Sequence, residues 1–118
     1  MTINFSVLAL DQILNHATKV RYMSAGQLTA PMIIRTVTGG GAGLAATHSQ
    51  SLEPWYAHMP GIHVAVPATP YDALGLLREA FTKEDPVLFS ELGLLYRLRG
   101  EVPDEHYVVP FGQADIKR

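Results

Sequence analysis

Apolar positions in the first part of the chain recur at intervals of three and four residues. Leu10, Ile13, Leu14, Ala17 and Val20 fall on one face at that spacing, which predicts a helix over residues 4–24. Gly26 follows where a left-handed cap belongs, and Lys19 and Arg21 complement the helix dipole near that end. The spacing then changes. Pro31 to Val37 is a short, mostly apolar and β-branched run, which reads as a strand buried on both faces. Thr38 to Gly43 forms a loop with glycines at 39, 40, 41 and 43. A short helix is predicted over 51–59, closed by Pro60 and Gly61, and Ile62 to Val66 is a second strand ended by Pro67. Thr69, Pro70 and Asp72 make a helix start with a capping box, and Ala73, Leu77, Ala80 and Phe81 mark that helix's buried face. The helix stops before Pro86, and Val87 to Ser90 is a third strand. From Gly100 to Arg118 the periodicity dissolves into Pro103, Pro110 and Gly112 among charges, a linker or docking tail.

Strands that alternate with helices and are apolar along their length predict an α/β layer with a parallel sheet. Three strands make an incomplete sheet with long edges, which a stable protein covers. The pattern therefore predicts part of a larger unit, one that self-associates when alone.

Composition narrows the function. A length of 118 residues suits one domain, and 47% hydrophobic with 17% charged residues is ordinary globular content. Nine Lys and Arg against eleven Asp and Glu leave no basic surplus, which argues against nucleic acid and against a membrane surface as partners. The chain has no cysteine, which excludes disulfides, thiol catalysis and zinc–thiolate sites. No apolar run approaches the roughly 18 residues of a membrane span, and no charged-then-apolar leader opens the chain. A soluble, cytoplasmic protein is the expectation.

Gly41 to Ala46 matches the relaxed dinucleotide fingerprint G-x-G-x-x-A, but the next strand ends in Val66-Pro67-Ala68 without the acidic residue that would hold a ribose. His48, His58 and His63 match no recurring metal-ligand spacing. His48 stands out among them, because it follows a glycine-rich loop at the C-terminal end of a strand, where open α/β sheets place their ligands. A histidine there suits proton exchange near neutral pH. Trp55 and Tyr56 read as packing, and Glu91 as a solvated or paired strand-end carboxylate.

Taken in order, Asn4-Phe5-Ser6, Leu10-Asp11-Gln12-Ile13, Asn15, Arg35, Gly41-Ala42-Gly43, His48-Ser49-Gln50-Ser51, Trp55-Tyr56 and Met59-Pro60-Gly61 form one series. It continues through Val66-Pro67, Asp72-Ala73, Pro86-Val87, Glu91, Leu95-Tyr96 and Val109-Pro110-Phe111-Gly112. This series resembles the β subunit of the E1 component of 2-oxo acid dehydrogenase complexes, of the pyruvate, acetoin and branched-chain types. The resemblance implies a three-layer αβα fold with a mostly parallel sheet, a truncated pyrimidine-binding domain of the transketolase type over residues 1–99. Residues 100–118 would then be a linker toward a C-terminal domain.

The same resemblance implies thiamine diphosphate as cofactor, shared with an E1 α chain that holds the diphosphate and magnesium. Other implied partners are a second β chain and the lipoyl domain of the E2 acyltransferase. Phe5 corresponds to the aromatic residue that packs on the aminopyrimidine, Met1 to a neighbouring pocket methionine, and His48 to the active-site histidine near the thiazolium. Backbone carbonyls of Met32, Ala80, Phe81, Lys83 and Asp85 correspond to a structural potassium site, with Lys83 where an acidic residue is common. The family's glutamate that activates the cofactor lies before position 1, so the isolated chain is expected to be inactive. Gly93 replaces a residue that is usually polar or charged. The competing readings are another thiamine enzyme of the transketolase or deoxyxylulose-phosphate synthase type, and a non-catalytic association module.

Overall fold

β1 (Ile33–Thr38), β2 (His63–Ala65) and β3 (Val87–Leu92) form one three-stranded parallel sheet in the order β1-β3-β2. The computed structural model describes residues 2–114 and 116. Ile33 pairs with Val87 and Thr38 with Leu92 on one side of β3, while His63 pairs with Val87 and Ala65 with Phe89 on the other. β3 is the centre of the sheet, and Val87, Leu88, Phe89 and Ser90 are all buried. Burying a side chain such as Leu88 or Phe89 stabilises the fold by about 1.5–3 kcal/mol each. The α/β class and the parallel sheet expected from the sequence are both present.

Helices cover both faces. On the Leu88 face, Ile3, Ile13, Leu14, Leu52 and Tyr56 make the core, with Ile34, Ile62 and Val64 packed against it. On the other face lies α3 (Pro70–Ala80), whose Ala73 and Leu77 share a cavity wall with Phe89. Thr69 caps α3 as the sequence predicts: its hydroxyl oxygen accepts from the Asp72 N–H at 3.1 Å and its hydroxyl donates to the Asp72 carboxylate at 2.8 Å. α2 (Glu53–His58) carries Tyr56 into the core. No helix among the described residues is long and apolar enough to cross a membrane.

Two expectations need correction. The single helix predicted over residues 4–24 is broken into a 3-10 helix (Ile3–Ala9), a π-helix (Gln12–Ala17) and the one-turn α1 (Val20–Met23). Its apolar face is as predicted, but Thr18 diverts the backbone. Its hydroxyl donates to the Leu14 carbonyl at 2.8 Å, and its N–H donates five residues back to Ile13 at 3.1 Å. The cap at Gly26 is present, with φ +82° and its N–H on the Arg21 carbonyl at 2.8 Å. Phe81, assigned to the buried face of α3, is 77% exposed, because the helix ends at Ala80.

Part of the tail packs on the domain. Tyr107 stacks on Tyr71 with ring centroids 4.4 Å apart and donates its hydroxyl to the Tyr71 carbonyl at 2.9 Å. Arg78 lies over the same ring at 5.3 Å, and Phe111 meets His63 at 5.6 Å. Residues 107–111 therefore strap α3. At the end of β3, Arg35 Nε and Nη2 both bond Glu91 Oε1, at 2.7 and 2.6 Å, while the Tyr96 hydroxyl donates to Oε2 at 2.8 Å. Glu91 is thus a paired carboxylate. The three line the mouth of an apolar cavity of about 300 Å³ between the sheet and α3, together with Leu77, Phe89 and Leu95.

Two outcomes test this architecture. A methyl group at Gly75 would lie 2.8 Å from the Tyr107 ring and 3.1 Å from the Val109 backbone nitrogen. Gly75→Ala gains about 1 kcal/mol of helix propensity, while displacing backbone costs about 1–3 kcal/mol. The strap is expected to lift, giving faster proteolysis between Glu101 and Pro110 with unchanged helical circular dichroism. Cleavage at the native rate would sink this account. Second, burial, the Glu91 hydrogen bond and the Glu91 charge hold the Tyr96 phenol above its ordinary value of 10. The folded state therefore keeps this proton longer than the unfolded chain, and the contribution is complete below pH 10 and lost as pH rises through the raised value. The melting temperature of the native chain is expected to fall more steeply above pH 10 than that of Tyr96→Phe. Parallel curves would count against it.

Candidate functional site

The end of β1 sets the site. Thr2 bridges to Val37 in parallel, which brings the start of the chain alongside the C-terminal end of β1 and projects the Ile3–Ala9 helix from that edge. β1 itself ends at Thr38 and opens into the loop that carries His48. Two segments distant in sequence thus meet at the strand-end edge. Their meeting point is aromatic: Phe5 and His48 pack edge to face, with ring centroids 5.2 Å apart and an interplanar angle of 63°.

The His48 loop is pinned rather than slack. Its return strand runs so close to Gly39 that any side chain there would overlap the His48 carbonyl and the Ser49 backbone, and the Gly39 N–H donates to the Gln50 carbonyl at 3.2 Å. That glycine serves the loop's own closure. Gly43, at φ +66°, has open space where a side chain would begin. The Ser49 hydroxyl oxygen accepts from the Leu44 N–H at 2.7 Å, and the His48 N–H donates to the Ala45 carbonyl at 3.1 Å. The Thr47 hydroxyl and His48 Nδ1 share a hydrogen bond of 3.0 Å. Nε2 is left without a protein partner among the described residues, on an exposed side chain.

Around this pair the bonded groups are amides and hydroxyls. Asn4 Nδ2 donates to Gln50 Oε1 at 2.7 Å, and the Gln50 N–H donates to Asn4 Oδ1 at 3.4 Å. On the other side of Phe5, Ser6 accepts from the buried Tyr56 hydroxyl at 2.6 Å. The structure therefore brings Phe5 and His48 together from separate segments. Met1, the third residue assigned to this pocket, lies outside the described residues.

The remaining candidates sit elsewhere. Of the residues assigned to potassium, Met32 lies at the opposite edge, where the strands begin, its carbonyl accepting from the Val87 N–H at 2.9 Å, and the Ala80 carbonyl accepts from the Lys83 N–H at 3.3 Å at the end of α3. Gly41 to Ala46 opens no helix: a turn follows, and the next helix starts at Glu53. The dinucleotide fingerprint thus lacks the helix end that would face a phosphate. His63 and His58 join no group of three or more metal-ligating side chains among the described residues. Of the aromatic pair, Tyr56 is packing and Trp55 is 54% exposed. The Asn4–Gln50 pair was not singled out from sequence, because its partners stand 46 residues apart and no spacing rule joins them.

Residues 1–97 match the family described as Transketolase, pyrimidine binding domain. The chain is 48% identical over 118 residues to the acetoin:2,6-dichlorophenolindophenol oxidoreductase subunit beta of Cupriavidus necator, an alignment covering 100% of this chain and 35% of that protein. It is 47% identical over 116 residues to the 2-oxoisovalerate dehydrogenase subunit beta of Bacillus subtilis, covering 98% and 36%. It is likewise 47% identical over 122 residues to the mitochondrial pyruvate dehydrogenase E1 component subunit beta-2 of Oryza sativa subsp. japonica, covering 100% and 32%. The chain spans about a third of the length of the curated relatives it matches. A match over most of the residues, on a parallel sheet flanked by helices, shows that the chain belongs to the transketolase pyrimidine-binding domain family.

Proposed function

We propose that this chain forms the pyrimidine-facing side of a thiamine-diphosphate site in a 2-oxo acid dehydrogenase E1 assembly. The reaction is oxidative decarboxylation of a 2-oxo acid with transfer of the acyl group to a lipoyl domain of the E2 acyltransferase. The observation that carries this reading is the Phe5–His48 ring pair at the strand-end edge. Phe5 is 36% exposed and offers an apolar surface to a flat heteroaromatic ring, which the aminopyrimidine is. His48, with Nδ1 beside the Thr47 hydroxyl, presents Nε2 outward to orient a substrate carbonyl and to give or take a proton. The cofactor supplies the carbanion chemistry when bound. Its diphosphate and magnesium belong, on this reading, to the E1 α chain, and Met1 to the pyrimidine pocket. The location is cytoplasmic.

A potassium ion at the opposite edge is part of the same proposal, held by the backbone carbonyls of Met32, Ala80, Phe81, Lys83 and Asp85. Two ion pairs support it by taking up the nearby charges. Arg21 holds the Asp85 carboxylate at 3.1 Å, and Glu79 neutralises the Lys83 ammonium. A second β chain is proposed to cover the exposed apolar residues Leu8, Tyr22 and Met23.

Three measurements check the reading. In an E1 assembled with its α chain, His48→Ala is expected to slow decarboxylation or acyl transfer by roughly 10²–10⁴-fold, with folding and cofactor binding little changed. If the variant instead loses stability while its folded molecules turn over normally, His48 is a structural residue. The purified chain alone is expected to give no turnover with a 2-oxo acid and an artificial electron acceptor, because the groups bonded around Phe5 and His48 include no carboxylate among the described residues. Finally, the melting temperature is expected to be higher in potassium chloride than in choline chloride of equal ionic strength. Equal values would remove the potassium site.

A further inference from the structure

Phe5 and His48 belong to segments with no covalent reason to stay in register, and each is a single rotatable side chain on a short, exposed stretch. What joins the two segments at this point is one pair of primary amides. Asn4, directly before Phe5, donates through Nδ2 to Gln50 Oε1 at 2.7 Å, and Gln50, two residues after His48, returns its backbone N–H to Asn4 Oδ1 at 3.4 Å. The Gln50 carbonyl is held in turn by the Gly39 N–H at 3.2 Å, at the exit of β1. Gln50 is therefore fixed through its side chain, its N–H and its carbonyl. Phe5 is bracketed as well: its other neighbour, Ser6, is tied to the buried Tyr56. Only an amide head both donates and accepts in one plane, so the closed ring needs Asn at one position and an acceptor at the other.

We propose that Asn4 and Gln50 are positioning residues, whose paired amides set the distance and angle between the Phe5 and His48 rings. The proposal rests on the reading of that ring pair as a cofactor and substrate site, but its test does not depend on turnover. Neither residue is a member of the buried apolar core, and Gln50 is exposed, so the pair's main effect is on the geometry of the site.

The test uses the whole chain and the proton resonances of the His48 imidazole, recorded at about pH 9 so that ring charge does not vary among variants. Phe5→Leu defines the position of these resonances without the neighbouring ring. Asn4→Leu keeps the approximate shape but removes both the donor and the acceptor, so that no rotation of the Gln50 amide restores the pair, and Gln50→Ala removes its partner. Both are expected to move the His48 resonances toward the Phe5→Leu position, while the remaining amide spectrum stays native. Gln50→Glu retains the acceptor and is expected to keep the native position. Should Gln50→Ala unfold, the near-isosteric Asn4→Leu still decides. Native resonances in Asn4→Leu alongside a clear shift in Phe5→Leu would overturn the clamp alone. Resonances unmoved by Phe5→Leu would overturn the ring pair and the clamp together. A Gln50→Glu shift as large as that of Gln50→Ala would also overturn the clamp, since the acceptor survives.

Discussion

A phenol that is wholly buried must bond its hydroxyl or forfeit about 1–3 kcal/mol, and Tyr56 is such a group. Its partner is Ser6 at 2.6 Å, whose own hydroxyl donates onward to the Ile3 carbonyl at 2.5 Å. Much of the site follows from that requirement. Tyr56 sits on α2, which closes the His48 loop, and Ser6 follows Phe5, so satisfying one buried hydroxyl draws the two halves of the site toward each other. Thr2 against Val37 fixes the third point, at the rim of the sheet. The apolar core and the polar site thus share their anchors, and loosening one disturbs the other.

The loop that carries His48 is fastened at both ends and across its middle. Gly39 against Gln50, Leu44 against Ser49 and Thr38 against Ser51 close it on itself. Closure of this kind holds the backbone of His48 in one place relative to the end of β1. The strap of residues 107–111 has a different character. It rests on stacked rings and one close approach to Gly75, contacts that exclude water from α3 without reaching the site edge.

What the sequence made legible was what local rules govern. The Thr69 cap, the Gly26 turn and the three apolar strands depend on neighbours a few residues away, and each appears where the pattern puts it. The break in the first helix was hidden because hydrophobic spacing survives a π-turn almost unchanged: Ile13 and Leu14 remain buried on either account. Phe81 was misread because periodicity extends a buried face past the point where the helix stops. At the candidate site, Phe5 and His48 were singled out through the resemblance, and His48 also through its place after a strand. The contact between them, the Asn4–Gln50 amides and the Arg35–Glu91–Tyr96 network all join distant segments. Their signal lies in tertiary closure, which no short spacing encodes.

The spatial order of the strands has a consequence for synthesis. β1 and β2 pair with β3 and not with each other, so among the three strands neither has a partner until β3 is made, and β1 has until then the single bridge from Thr2 to Val37. At roughly 5–20 residues per second, the interval between completion of β1 and arrival of β3 is on the order of several seconds. Through that interval the apolar Ile33–Val37 run has unpaired backbone on the β3 side and is open to chaperones and to other nascent copies. Once β3 arrives it slots between two waiting strands and closes both ladders in one step, burying Leu88 and Phe89 on opposite faces. Of the three strands, the one made last commits this sheet.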